Sequence, residues 1–419
     1  MKRIISCVAA LLLALTALPS AEAAFVVGGE NGWQFSTDGF VNVFGLYQAV
    51  EKMPVSATPL YLGELSAGLP VQNQAQQQFS VRTGLLPTGF GFNIKAPTTK
   101  GVDYAVRLGI YPQIQNHLSA HTDITPNVDF REVNITADGS FGQVLAGRAI
   151  NLYQAKNILT DMTLFGAGVI GPVNNGPTMG HIGYGYLYPN FDAQFRYTTP
   201  SLGGVKIAVS VNDTSDIGGG QNGVTAAIHN VPCIQSEISY ATTFTGGKMQ
   251  TWVSGLYQTA RFPDGNPVRP SGSATALGGA GGIELGLGGL DMLVSGYGGQ
   301  ALGMLGMLSD GLSNVLDATG KEHQNWGFLA QATYMLTPEL KLGANYGQSN
   351  QVATDNDKAQ QAAGLHADIK TQQAATCALT YNVNKFVQLI AEYTWAQDKW
   401  QNGLNQSGNM GALGTFFYW

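Results

Sequence analysis

The stretch FREVNITADGSFGQVLAGRAINLYQAKNILTDM, Phe130 to Met162, decides the reading of the chain. It starts as a strand, turns tightly at Asp138-Gly139-Ser140, runs as a second strand to Arg148, and then turns irregular. Two arginines, Arg131 and Arg148, sit among alternating residues, and one carboxylate, Asp161, follows in the irregular part. The pattern is that of barrel wall followed by a segment that folds back into the lumen. A positively charged wall then faces a negatively charged loop across a narrow gap.

Outward from this pair, strand signals recur in both directions. Strands are expected near 35–47, 79–95, 102–111, 129–137, 141–149, 187–198, 205–211 and 234–244. Eight more fall near 248–258, 280–287, 290–298, 325–336, 340–349, 372–381, 386–397 and 411–419. The links between them alternate short and long without exception. The long ones are 48–78, 112–128, 150–186, 212–233, 259–279, 299–324, 350–371 and 398–410. Transmembrane barrels sort their links this way, with short periplasmic turns, long outer loops and an even strand count. A soluble all-β sandwich has no reason to.

Alternation is clearest late in the chain. Val387, Leu389, Ala391, Tyr393 and Trp395 share one face, while Gln388, Glu392 and Thr394 take the other. Phe191, Ala193, Phe195 and Tyr197 oppose Asp192, Gln194 and Arg196 in the same way. Backbone groups in lipid need partners within the protein, so such strands must close into a cylinder. Near 251–258 and 280–287 the alternation blurs, which reads as a face toward a neighbouring subunit. The last strand, GALGTFFYW, ends on Trp419.

Composition agrees. Only 11% of residues are charged, yet no uninterrupted apolar run of helical-span length follows the N-terminal one. The chain opens MKRIISCVAALLLALTALPSAEA: a basic start, a short apolar run, and small residues Ala21 and Ala23 before a cleavage point. That is a secretory signal over residues 1–23, leaving 24–419 as the mature domain. With Lys2, Arg3 and Glu22 removed, 19 basic residues face 26 acidic ones, a net of −7. Nucleic acid, which needs a basic footprint, is not an expected partner. The mature cysteines, Cys233 and Cys377, fit either a disulfide or two separate thiols.

Between Asp129 and Asn212 the order and spacing of motifs resemble those of the general Gram-negative porins, trimeric sixteen-stranded barrels of the outer membrane. Phe130 to Arg148 is similar to the family's paired strands, with Gly147-Arg148 closing the second. Tyr153 to Gly166, with Thr160-Asp161-Met162, resembles the inward-folded third loop, and Phe195-Arg196-Tyr197 the strand that follows. The resemblance implies an all-β transmembrane antiparallel barrel of 16 strands. It implies a pore constriction in which Arg82, Arg131, Arg148 and Arg196 on the wall face Asp161 on the loop. Arg82 matches less well because Leu86-Pro87-Thr88 interrupts its strand. Where the family often carries a second loop acid, this chain has Leu164 or Phe165, so weak selectivity leaning toward anions is expected. The implied partners are outer-membrane lipid and lipopolysaccharide, small hydrophilic solutes and ions, and two further copies in a homotrimer.

No cofactor or metal centre is expected, and no catalytic function. The chain has no G-x-S-x-G, H-E-x-x-H or C-x-x-C. Gly218 to Gly223 formally matches a dinucleotide fingerprint, but without a following helix it reads as flexible loop. His117 and His121 read as solvated loop residues. Asp355 and Asp357 read either as a divalent-cation site near the outer surface or as solvated acids. Leu302, Leu305, Leu308, Leu312 and Leu316 have the spacing of a short amphipathic helix, a packed loop or a plug. The alternatives to a diffusion pore are a substrate-specific channel and a barrel that anchors a receptor or a hydrolase.

Overall fold

The computed structural model describes residues 25–66, 73–115, 128–171, 176–266, 268, 272–306, 308–310 and 312–419. The expected signal at 1–23, and His117 and His121, lie outside the described residues.

Sixteen antiparallel strands form a closed barrel. In chain order the wall strands are β1 (Gln34–Val50), β2 (split into Gln76–Arg82 and Gly89–Lys95), β3 (Asp103–Pro112) and β4 (Val128–Gly139). They continue as β5 (Gly142–Ile150), β6 (Phe191–Thr198), β7 (Val205–Asn212), β8 (Cys233–Phe244), β9 (Gly247–Arg261) and β10 (Ser273–Leu287). The last are β11 (Leu290–Gln300), β12 (Gln324–Met335), β13 (Leu340–Val352), β14 (Ile369–Asn382), β15 (Val387–Trp400) and β16 (Asn405–Tyr418). Each pairs with its neighbours in sequence, and β1 closes on β16 from Phe40 opposite Tyr418 to Val50 opposite Gly408. Paired backbone bonds between Gly39 and Trp419, 3.2 and 3.1 Å, finish the seam. The N-terminal strand Phe25–Gly28 folds back against Phe35–Thr37 beyond that point.

The strand interruption at Pro87 has a measurable consequence. Between Phe44 and Phe40, β1 advances four residues, while its partner β2 advances seven, from Arg82 to Gly89. Proline cannot donate to a ladder, so a break is expected here. The extra residues push into the barrel, where Asn42 donates to the Leu86 carbonyl (3.0 Å) and accepts from the Gly84 amide (2.7 Å).

Short links of 2–7 residues gather at one end of the barrel and long ones at the other. The long links are L1 (51–75), L2 (113–127), L3 (151–190), L4 (213–232), L5 (262–272), L6 (301–323) and L7 (353–368). The eighth, expected at 398–410, shrinks to 401–404 because β15 and β16 run past the region of clear alternation. Likewise β10 starts at Ser273 rather than near 280. Its early half is rich in Ala and Gly, which carry weak strand propensity. They are needed for room: a Cβ on Gly278 would lie 2.6 Å from the Tyr153 hydroxyl of L3.

The outer face is apolar. Phe79, Phe195 and Leu413 are each about 70% exposed, and dozens of other large apolar side chains share that face. A surface of that kind belongs against lipid. Among the described residues no helix is long and apolar enough to cross a membrane. The strands do the crossing.

In β9 the blurred alternation arises on the inward side. In β9 the odd positions face out and the even ones in, without a slip. The inward Trp252, Leu256 and Ala260 are apolar because L3, L4 and L6 pack against this side of the lumen. The leucines of L6 form no helix among the described residues. Leu302, Leu308 and Leu316 are buried in that same cluster, and Ser309–Asp310 pairs with Gly218–Gly219 of L4. The glycine run is therefore structural. Gln221 bonds both the amide (2.8 Å) and the carbonyl (3.0 Å) of Leu62 in L1. Cys233 is buried, Cys377 is exposed, and they are not bonded to each other.

Leu413→Arg, on the outward face of β16, is expected to destabilise the barrel by about 2–4 kcal/mol if it lies at the bilayer midplane. Urea unfolding from lipid vesicles measures it, and a cost near zero would mean that this face does not meet hydrocarbon.

Candidate functional site

L3 leaves β5 after a glycine that the geometry demands. Gly147 has φ +125°, and a Cβ there would sit 2.3 Å from the Val133 carbonyl oxygen. L3 then forms helix α1 (Ala155–Leu159) and a 3-10 turn, Met162–Phe165. Asp161 caps that turn. Its carboxylate accepts from the Thr163 amide (2.9 Å) and hydroxyl (2.6 Å), from the Tyr186 hydroxyl (2.7 Å), and from Asn345 of β13 (3.2 Å). It is 3% exposed and lies inside the barrel, not on the rim.

The rest of L3 is stitched across the lumen to the wall. The Tyr153 amide donates to Gln235 of β8 (2.9 Å), and Trp252 of β9 donates to Asn157 (3.1 Å). The Met162 amide reaches Gln331 of β12 (2.6 Å), and that of Gly185 reaches Ser349 of β13 (3.1 Å). His181 contacts Thr376 of β14 (3.2 Å). Glu392 of β15 accepts from the amides of Ala167 (2.8 Å) and Gly168 (2.9 Å), and Asp398 from the Tyr184 hydroxyl (2.9 Å). Burial first, and the adjacent carboxylates second, push the Tyr184 and Tyr186 phenols well above their usual range. Both stay protonated as donors. An inward wall carboxylate at this depth has either water or a loop donor for a partner, and here the loop supplies it.

The four expected arginines do not converge on Asp161. Arg82 is 1% exposed and donates to the Ile170 carbonyl of L3 (2.7 Å), so it is an anchor of the loop. Arg131 sits where the β3–β4 register shifts, between Gly109 and Tyr111. It pairs with Asp129 (2.7 Å) and lies over the rings of Tyr111 (5.1 Å) and Phe191 (5.3 Å). Arg148 is exposed and stands opposite Val133 and Ala193, both on the outward face. Inward positions in β5 are instead Leu145 and Ala149. Arg196 does face inward and donates to Gln194 (3.0 Å) and the Ile150 carbonyl (2.5 Å). Among the described residues no salt bridge joins Asp161 to any of them. The opposition of wall arginines and a loop acid is thus not what these side chains make.

A different set of charges lines the wall. Arg107 of β3 bridges Asp38 of β1 (2.9 Å) and Glu132 of β4 (2.9 Å), and also reaches Asn93 of β2 (3.0 Å). The Tyr111 hydroxyl donates to Glu132 as well. Further round, Lys156 of L3 stands 3.8 Å from Glu237 of β8, which also lies within electrostatic range of Arg196. At the short-link end Lys248 pairs with Asp291 (3.2 Å).

Residues 9–401 match the sequence model of the Gram-negative porins. The chain belongs to the Gram-negative porin family. No individually curated protein sequence matches it. Its fold is similar to that of the outer membrane channel DcaP of Acinetobacter baumannii, at 14% identity and a TM-score of 0.64 over 94% of this chain and 100% of that one. It is also similar to the anion-selective porin from Comamonas acidovorans, at 13% identity and a TM-score of 0.60 over 92% and 100% of the two chains. OmpF of Salmonella typhi, in complex with daunomycin, follows at 13% identity and a TM-score of 0.53 over 93% and 98%. Family and fold place the porin in the outer membrane and make it a channel rather than an enzyme.

The Arg107 cluster escaped the sequence reading for a physical reason. Its members come from β1, β2, β3 and β4 and meet only through the ladder register. The signal available was alternation: in DYAVRLGIY, Arg107 has the inward parity of Gly109, opposite to the outward Tyr104 and Val106.

Tyr186→Phe removes one hydrogen bond to the buried Asp161 carboxylate and is expected to cost about 1.5–3 kcal/mol. Glu392→Leu leaves the Ala167 and Gly168 amides without a partner, at about 1–3 kcal/mol each. Denaturant midpoints in micelles check both. Values below 0.5 kcal/mol would mean that L3 is not tied as described.

Proposed function

We propose that the porin passes ions and small hydrophilic solutes by diffusion through the part of the lumen that L3 leaves open, with a weak preference for anions. The observation that carries this reading is the distribution of inward charge. Asp161 is consumed in folding L3, whereas Lys156 of L3 and the inward wall residues Arg196 and Lys206 stand on the same side of the lumen as two acids, Glu237 and Asp192. The Arg107 cluster is opposite in sign, with two acids, Asp38 and Glu132, around one arginine. Charges of both signs on a narrow, partly desolvated passage set up a field that sorts ions and orients dipolar solutes. A unit charge about 4 Å from a passing ion contributes roughly 1–4 kcal/mol between bulk and intermediate dielectric, enough for several-fold selectivity.

The same proposal includes cleavage of a signal before Ala24, contacts with outer-membrane lipid and lipopolysaccharide, and assembly as a homotrimer. Cross-linking in native membranes tests the last. A second reading has one observation in its favour. L1, L4 and L6 interlock through Gln221 and the small three-stranded sheet, as the outer surface of an anchored receptor would.

Swelling of proteoliposomes in sugars of graded size separates the two. Diffusion predicts swelling that falls with solute size; a sealed barrel gives none. In a salt gradient the reversal potential is expected to be weakly anionic. Arg196→Glu should move it toward cations several-fold, while Asp161→Asn should leave it within about a factor of two. A large shift from the Asp161 variant alone would restore the constriction that its sequence position suggests.

A further inference from the structure

At the long-link end of the barrel three side chains from separate segments meet. His323 ends L6, Asp357 lies in helix α2 (Asp355–Ala362) of L7, and Asp368 immediately precedes β14. One ligating atom from each lies within 4.8 Å of the other two. His323 is fully buried, Asp357 nearly so, and Asp368 is partly exposed, which leaves an approach from outside. Asp355, the other acid flagged in this helix, points away and pairs with Lys358 (3.1 Å).

We propose that His323, Asp357 and Asp368 form a site for a divalent transition-metal cation, with zinc the best fit, that clamps L6 to L7. The imidazole orientation is the first argument. Nδ1 lies 2.8 Å from the Asn314 carbonyl oxygen, which can only accept, so Nδ1 carries the hydrogen. Metal-bound histidines are held in this way, their second nitrogen donating to a carbonyl or carboxylate. Nε2 then faces Asp357 Oδ2 at 2.7 Å. A lone pair aimed at a carboxylate oxygen needs a positive species between them.

Charge is the second argument. A proton on Nε2 leaves one positive against two carboxylates, a net −1 in a largely buried pocket. A divalent cation with neutral imidazole brings the cluster to zero. The donor set is the third. One nitrogen and two carboxylates suit zinc rather than calcium or magnesium, which take all-oxygen shells, and three protein ligands leave a fourth position for water. Seating the ion requires the His323–Asp357 contact to open to about 3.3 Å, as two bonds of about 2.0–2.1 Å at a tetrahedral angle require.

Such an ion would fasten more than two loops. Asn314 also donates to Asp368 (2.6 Å) and accepts from the Asn222 amide of L4 (3.0 Å). Ala367 exchanges backbone bonds with Tyr61 and Pro59 of L1 (3.2 and 3.0 Å). L1, L4, L6 and L7 therefore converge on the site.

The test is calorimetric titration of the full-length, chelator-treated protein in detergent with Zn2+, repeated with Co2+ for its visible absorption. One Zn2+ per chain is expected, with tetrahedral cobalt bands. His323→Ala should weaken binding at least 100-fold. Asp368→Asn, which keeps shape and lies at the accessible edge, should weaken it at least tenfold and keeps the test valid if the histidine variant fails to fold. The proposal is overturned if the unaltered protein binds no tighter than about 1 mM, or if Asp368→Asn binds as tightly as the unaltered chain.

Discussion

A peptide group in hydrocarbon has no water to bond, and that constraint shapes every level of this molecule. It requires the sixteen strands to close, and it dictates how they close: β1 meets β16, and Gly39 and Trp419 bond each other at the seam. It also decides where irregular backbone is tolerated. The break in β2 at Pro87 leaves unpaired groups at membrane depth, and the chain resolves them inward. Asn42 bonds the Leu86 carbonyl and the Gly84 amide, and the Leu85 amide reaches Gly166 of L3 at 2.8 Å. An outward bulge of the same length would have faced lipid with nothing to bond.

The lumen obeys a second rule, that inward polar groups need either water or a partner. Over much of the wall from β8 to β15 the partner is L3 itself. Its amides and phenols fall on Gln235, Gln331, Ser349, Glu392 and Asp398, while its apolar side chains fill the gaps between them. Inward Trp252, Leu256 and Ile390 follow from the same packing. Charges that keep some exposure, Arg107 with Asp38 and Lys156 beside Glu237, mark where the wall is left to water. In this molecule L3 does more to divide the barrel than to present a charge.

The outer end shows the same economy of partners. The glycine run of L4 and the leucines of L6 looked like independent loop features, and the histidine that ends L6 joins them. They are one interlocked cap, with Gln221, Asn222 and Asn314 as its joints.

Much of this was legible without coordinates. Period-two alternation and the sorting of links by length both follow from local rules: side chains alternate along any strand, and turns on one side of a membrane stay short. Strand number, closure and most of the lipid-facing set of residues were therefore determined by the sequence alone, to within a few residues at most ends. Asp161 was rightly placed on an inward loop, yet its partners were not readable. Thr163 is two residues away, but Tyr186 and Asn345 arrive from 25 and 184 positions along the chain. Arg148 looked like a pore residue, and one step of strand parity turned it outward. Arg82 looked like a constriction charge, and the fold spent it on a loop carbonyl. Which charge meets which depends on ladder register and on where a forty-residue loop comes to rest. Both are set by contacts between segments far apart in the chain, and only the tertiary structure decides them.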